Sequence, residues 1–181
     1  KVDILVNLSA SPYTFKKLKL RSKVSSFAAQ YLQVPLIYVN QIGANDNLIF
    51  DGNSFILDKN GSKIKQLKSF SEDLSSWAIE QTKTEKNEFE NSEMSSIFDA
   101  LVLGVKDYAK KCGFKTALVG LSGGIDSALV SAIATAALGS DNVYCVSMPS
   151  KWSSSHSKSD AKDLARRLSL IHISEPTRLE L

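Results

Sequence analysis

The sequence predicts an α/β chain with a parallel sheet in its second half, and three observations lead there. Short apolar runs of strand character (Ile4–Leu8, Leu36–Gln41, Thr116–Leu121 and Val143–Met148) alternate with stretches of helical periodicity. Asn60-Gly61 separates two short runs, Ser54–Asp58 and Ser62–Leu67, which is a hairpin signal. From Thr116 onward the order strand, helix, strand, helix implies βαβ units, whose strands pair in parallel.

Ile4–Leu8 reads as a buried strand, followed by a turn at Pro12. A helix is expected from Phe15 to Leu32, with Leu20, Val24, Phe27, Ala28 and Tyr31 as its apolar stripe. Lys16, Lys17, Lys19, Arg21 and Lys23 fall mostly on the other face, which reads as solvated. Leu36–Gln41 and Leu48–Phe50 are the next strands, with a loop through Gly43 and Asn45 between them. Ser69–Ser96 is rich in Ser, Glu, Asn and Lys, and reads as an acidic connector with Trp77 and Ile79 docked somewhere. Ser96 and Asp99 have capping-box spacing for a second helix. Ile97, Leu101, Val105 and Tyr108 form its expected buried stripe, and Gly113 supplies its stop. Ser157 with Asp160 is expected to cap a last helix, Ser159–Leu168. Beyond it the helical pattern collapses, and LSLIHISEPTR reads as the translation of a transposase-type sequencing adaptor. Residues 168–181 are therefore expected to be non-native, and His172 receives no role.

With 181 residues, the chain can hold one good-sized domain or two small ones, and 43% hydrophobic with 23% charged residues is ordinary globular composition. A net charge of +3 is too small to argue for nucleic acid or an acidic membrane surface as partner. No apolar run reaches the length of a bilayer span, and no signal peptide opens the chain. The start at Lys1, without Met and inside a strand pattern, reads as an internal beginning. Cys112 and Cys145 share no metal-ligand spacing and have no nearby base. Two unlinked cysteines suit a reducing compartment, and a cytoplasmic location is expected. His156, among serines, reads as an exposed loop residue.

Gly120-Leu121-Ser122-Gly123-Gly124-Ile125-Asp126-Ser127 is the most informative segment. A strand feeding a Gly-rich turn at a helix N-terminus builds an anion site from backbone N–H groups and the helix dipole. Glycines let the backbone approach the anion, and Ser122 and Ser127 can add hydroxyl donors. Asp126 places a carboxylate beside the phosphates, a position that suits a Mg²⁺ ligand. No Gly-Lys-Ser/Thr follows the glycines, and the G-x-G-x-x-G spacing is absent, so neither the Walker A loop nor the dinucleotide fingerprint applies. A Gly-rich strand–helix turn without any ligand is the alternative reading of the same residues.

The segment resembles the SGGxDS loop of the PP-loop ATP pyrophosphatases, which split ATP between the α and β phosphates. ALVLGVKDYAKKCGFKTALVGLSGGIDSALV, VSMPSKWSS and SDAKDLA look like NAD synthetase. Upstream, NLSASPYTFKKLKLR and PLIYVNQIGANDNLIFDGNSFILDKNG look like the C-terminal part of a nitrilase-type amidase. That order is the one found in glutamine-dependent NAD synthetases, and the resemblance covers residues 1–167.

The resemblance implies the end of an αββα nitrilase-like sandwich over 1–68, a linker over 69–95, and the start of a PP-loop domain with a parallel sheet over 96–167. It implies a ligase that uses ATP and Mg²⁺ to amidate deamido-NAD through an adenylylated intermediate, with ammonia from glutamine. Gly120 through Ser127 would hold ATP, with Asp126 at the metal. Val146–Met148 would lie by the adenine, and Ser11 and Lys17 would contact glutamine. The Glu, Lys and Cys triad of nitrilase-type amidases is expected upstream of residue 1, and most deamido-NAD contacts outside the chain. No catalytic residue is expected within it, the fragment alone is expected to be inactive, and the intact parent is expected to be a homo-oligomer. Two halves of separate cores should also leave apolar faces uncovered. Another PP-loop amidotransferase, or a carbon–nitrogen hydrolase with an appended regulatory ATP-binding module, stays open as an alternative.

Overall fold

Leu36 and Tyr38 on one strand, and Phe55 and Leu57 on another, alternate inward and nucleate the first of two cores. The computed structural model describes residues 2–79, 92–150 and 152–174. The chain divides into two compact units between Gly104 and Val105.

In the first unit, β1 (Leu5–Ser9) leads through α1 (Lys17–Leu32) to β2 (Leu36–Asn40), which pairs with it in parallel. β3 (Ile42–Asn45) and β4 (Leu48–Asp51) form a separate antiparallel hairpin. β5 (Phe55–Leu57) and β6 (Lys63–Gln66) complete a four-stranded sheet of order β1-β2-β5-β6. The hairpin expected at Asn60-Gly61 is the β5–β6 connection. Asp58 Oδ1 accepts from the Asn60 and Ser62 amides there. Gly61 has φ +76°, and a Cβ on it would overlap Ser26 of α1. Tyr38 and Phe55 stack with ring centroids 5.0 Å apart beneath Ala29.

Helix α1 turns a different face inward from the one its hydrophobic periodicity predicts. Leu20, Val24, Phe27 and Tyr31 are 60%, 61%, 68% and 77% exposed, while Arg21, Ser25 and Ala29 are buried. The reason is tertiary. Small Ser25 and Ala29 let the helix approach the sheet closely, and Arg21 has a carboxylate to meet below it, that of Asp51. Ser26 and Gln30 bond to the Gly61 and Asn60 carbonyls at 2.8 Å each, which holds that rotation. The helix begins at Lys17 rather than Phe15, since Lys16 is left-handed at φ +64°. β1 is an edge strand, and Val6 and Leu8 on it are exposed, where the sequence suggested a buried strand.

Helix α2 (Glu93–Cys112) contains the division between the units. Its cap is Ser92, whose Oγ accepts from the Ser95 amide at 3.1 Å, and not Ser96. Ala100 and Ala109 are its buried residues, whereas Leu101, Val105 and Tyr108 of the expected stripe are exposed. Gly113 does follow its end, with φ +75°. Most of the connector, residues 80–91, lies outside the described residues.

In the second unit, β7 (Ala117–Gly120), α3 (Ile125–Leu138), β8 (Val143–Ser147), α4 (Ser155–Arg167) and β9 (Ile171–Ser174) alternate. The sheet order is β7-β8-β9, all parallel, as the alternation predicts. Val119, Leu121, Ala134, Val143, Cys145, Ala161 and Ala165 form its core. Cys145 is a small core residue, and Cys112 is exposed. Helix α4 starts earlier than expected, because Ser154 caps it by accepting from the Ser157 amide at 3.1 Å. Within residues 168–181, the stretch expected to be non-native and set aside from the fold, Ile171–Ser174 pairs along β8, where alternating isoleucines suit a strand. Residues 175–181 lie outside the described residues. Among the described residues no helix is long and apolar enough to cross a membrane.

The inward face of α1 can be checked by unfolding in urea. Leu57→Ala, at a fully buried site, should cost about 2–5 kcal/mol. Leu20→Ala, on the exposed stripe, should cost no more than about 0.5 kcal/mol. Equal costs would mean that α1 is rotated as its periodicity suggests.

Candidate functional site

The second unit places the Gly120–Ser127 segment at the carboxyl end of its parallel strands, where open α/β sheets bind ligands. Gly120 ends β7, and buried Leu121 donates its amide to the Val146 carbonyl at 2.8 Å, extending the pairing with β8. Ser122, Gly123 and Gly124 turn the chain, and Ile125, Asp126 and Ser127 form the first turn of α3. The N-cap is Gly124, without a side-chain cap, so the leading amides of α3 are presented as an anion site with the positive helix end behind them.

Gly123 meets two demands at once. Its φ is +86°, and a Cβ on it would overlap the backbone carbonyl of Ser157 in the first turn of α4. The turn is therefore clamped between α3 and α4. In this structure the serine hydroxyls bond within the turn. Ser127 Oγ donates to the Gly124 carbonyl at 3.0 Å and accepts from the Ser122 amide at 3.3 Å. Ser122 Oγ accepts from the Gly124 amide at 3.2 Å and lies 3.1 Å from Ser127 Oγ. Both serine hydroxyls thus staple the turn from within.

A cavity of about 230 Å³ opens beside this turn, lined among others by Ser122, Val146, Met148, Ser157 and Lys158. The segment Val146–Met148 expected beside an adenine thus shares this cavity with Gly120, Leu121 and Ser122, whereas Gly123, Gly124 and Ile125 line a neighbouring one with Asp160 and Arg167. Sequence reasoning passed over Lys158. It sits in a serine-rich stretch whose register depends on where α4 begins, and Ser154 decides that. Asp126 is exposed on the first turn of α3. Among the described residues no group of three or more His, Cys, Asp or Glu could hold a metal by itself. A single carboxylate suits Mg²⁺, which keeps several waters and takes one or two carboxylates together with substrate phosphates.

Ser11 and Lys17 lie in the first unit, in and just after the turn that joins β1 to α1. Ser11 donates its amide to Asn40 Oδ1 at 2.9 Å, and its carbonyl accepts from Asn40 Nδ2 at 3.2 Å. Lys17 opens α1, its amide bonded to the Thr14 carbonyl at 3.0 Å. Between them, Tyr13 packs edge-on against Phe70. Burial raises the Tyr13 phenol above its ordinary value of 10.0, and the carboxylates of Asp51, Asp99 and Glu93 push it the same way. His156 is an exposed residue of α4 rather than of a loop.

The sheet and turn of the second unit are those of a PP-loop α/β domain, and the first unit carries the nitrilase-like part expected before it. Residues 97–177 match the NAD synthase family model. Over nearly its whole length the chain is similar to glutamine-dependent NAD(+) synthetases. That of Synechocystis sp. is 48% identical over 177 residues, which are 93% of this chain and 31% of the relative. That of Rhodobacter capsulatus is 40% identical over 172 residues, covering 92% of this chain and 31% of the relative. The solved Acinetobacter baumannii glutamine-dependent NAD+ synthetase, in complex with ADP, superposes with TM-score 0.89 at 37% identity. It covers 96% of this chain and 34% of the solved one. The Cytophaga hutchinsonii synthetase shares the fold, with TM-score 0.76 at 17% identity. The chain spans about a third of the length of the relatives it matches. The family resemblance read from the sequence is borne out.

Gly123→Ala and Gly113→Ala separate steric overlap from backbone strain. Gly113 also has positive φ, but nothing lies within 4 Å of its Cβ position. Gly113→Ala should cost only the left-handed strain, about 1 kcal/mol. Gly123→Ala should cost clearly more and lower hydrogen-exchange protection in the first turn of α4. Matching costs would show that the clamp against Ser157 does not exist.

Proposed function

We propose that this chain is part of a glutamine-hydrolysing NAD(+) synthetase. In the reaction, the nicotinate carboxylate of deamido-NAD attacks the α-phosphorus of ATP and pyrophosphate leaves. Ammonia released from glutamine then displaces AMP to give the amide of NAD. A carboxylate is a poor acyl donor, because its leaving group would be oxide, and AMP supplies a stabilised one. The observation that carries this reading is the uncapped α3 N-terminus behind the Ser-Gly-Gly turn, inside the stretch that matches NAD synthase.

Each part of the chain has a task in this reading. Within the Gly120–Ser127 segment the leading amides of α3 hold the polyphosphate of ATP, with Val146–Met148 beside the adenine and Lys158 adding a cation to the cavity that Val146–Met148 line. Asp126 is the residue that would hold Mg²⁺, which supplies charge neutralisation for the departing pyrophosphate. Ser11 and Lys17 contact glutamine. The domain limits proposed are 1–68 for the amidase part, 69–95 for the connector and 96–167 for the synthetase part. The amidase nucleophile belongs to the remainder of the enzyme, as do most contacts to deamido-NAD.

The test is an assay of the full-length protein with ATP, glutamine and deamido-NAD. NAD, AMP and pyrophosphate are the expected products, and ADP with phosphate would overturn the reading. Asp126→Ala should abolish NAD formation from either glutamine or ammonium, while glutamine hydrolysis stays near its basal rate. Loss of both activities together would argue against separate sites.

A further inference from the structure

The first unit holds a buried polar network that the function described above does not use. Asn40 is the last residue of β2 and is 7% exposed. The parallel β1–β2 ladder ends at the Ser9–Asn40 pair, so Ser11 lies two residues beyond it. Pro12 follows Ser11 and has no N–H to offer a continuing ladder. The Asn40 side chain takes over there. Its carboxamide bonds to both the amide and the carbonyl of Ser11, as a neighbouring strand would.

Asn40 is in turn held from behind. Its carboxamide Nδ2 reaches Asp51 Oδ1 at 3.4 Å, which backs the group that grips Ser11, while the Ser54 Oγ contact at 3.0 Å is to the Asn40 backbone amide alone and plays no part in that grip. Asp51 is fully buried and also accepts from Asn53 at 2.8 Å and from Arg21 at 2.5 Å. Arg21 stands one helical turn after Lys17 on α1, so the two share a face. One carboxylate thus ties together the Ser11 turn and the helix turn that carries Lys17.

We propose that Asn40, backed by Asp51, is a positioning residue for amide-substrate binding: it fixes the backbone of Ser11, and through Asp51 and Arg21 the start of α1 keeps its place opposite. This rests on the reading of Ser11 and Lys17 as glutamine contacts. It assigns Asn40 no contact with substrate, and its effect falls on substrate affinity rather than on the chemistry of either half-reaction.

The experiment compares NAD formation from glutamine and from ammonium chloride in the full-length enzyme carrying Asn40→Ala. A loosened Ser11 should raise the KM for glutamine by about tenfold or more, because small misplacements of binding groups cost that much. With ammonium, kcat and the KM values for ATP and deamido-NAD should stay within about twofold of the unmodified enzyme. Ser54→Ala removes the hydroxyl behind Asn40 without touching its grip on Ser11, and should leave the glutamine KM unchanged. Where Asn40→Ala fails to fold, Asn40→Ser, which leaves a hydroxyl and room for water, takes its place with the same expectations. An unchanged glutamine KM in the Asn40 variant overturns the proposal and leaves the proposed function standing. An equal rise in Ser54→Ala overturns it too, since the effect would then be general loosening of the core. An unmodified enzyme that forms NAD from ammonium but never from glutamine would overturn both the glutamine reading and the positioning role.

Discussion

The close approach of two backbones at Gly123 is the contact on which the second unit depends. The Ser157 carbonyl occupies the space that any side chain at that position would need. It brings the N-terminus of α4 against the turn that opens α3, and the cavity between β7, β8 and α4 follows from that contact. The same contact sets where the Ser-Gly-Gly turn sits relative to the strand ends. A backbone-lined anion site works only if its amides are already aimed, because flexible donors would lose in ordering what they gain in attraction. The Ser122–Ser127 hydroxyl pair keeps that aim from within the turn.

In the first unit the corresponding constraint is electrostatic. A carboxylate with no solvent exposure is costly unless it is paired and hydrogen-bonded, and Asp51 has Arg21, Asn53 and Asn40 around it. Removing one partner of such a buried pair is far more costly than the pair's net contribution, because the other charge remains. This explains why α1 lays a polar residue and two small ones on the sheet, and leaves Leu20, Val24, Phe27 and Tyr31 outside. Arg21 has no competing place in water once Asp51 is committed to the interior.

The two units meet their chemistry in different ways. The Ser-Gly-Gly turn is made of backbone groups and needs only residues that permit its conformation. The turn bearing Ser11 is held by side chains from β2, β4 and α1, brought together by the fold. A short motif is enough to reveal the first. The second is built from bonds between residues up to 30 positions apart.

The amino-acid sequence by itself determined the strand–turn–helix at Gly120–Ser127, the parallel order of β7 and β8, and the Asn60-Gly61 hairpin. Each rests on local backbone chemistry: glycine at positive φ, Asn-Gly at a tight turn, and strands alternating with helices. Only the tertiary structure decided which face of α1 turns inward, that Ser92 and Ser154 are the helix caps, that Ile171–Ser174 joins the sheet, and that Lys158 lines the cavity beside Val146–Met148. The α1 face and the β8–β9 pairing depend on partners distant in sequence, while each cap is a local bond to one of several candidate serines. Hydrophobic periodicity carries no information about a buried charge or a neighbouring backbone.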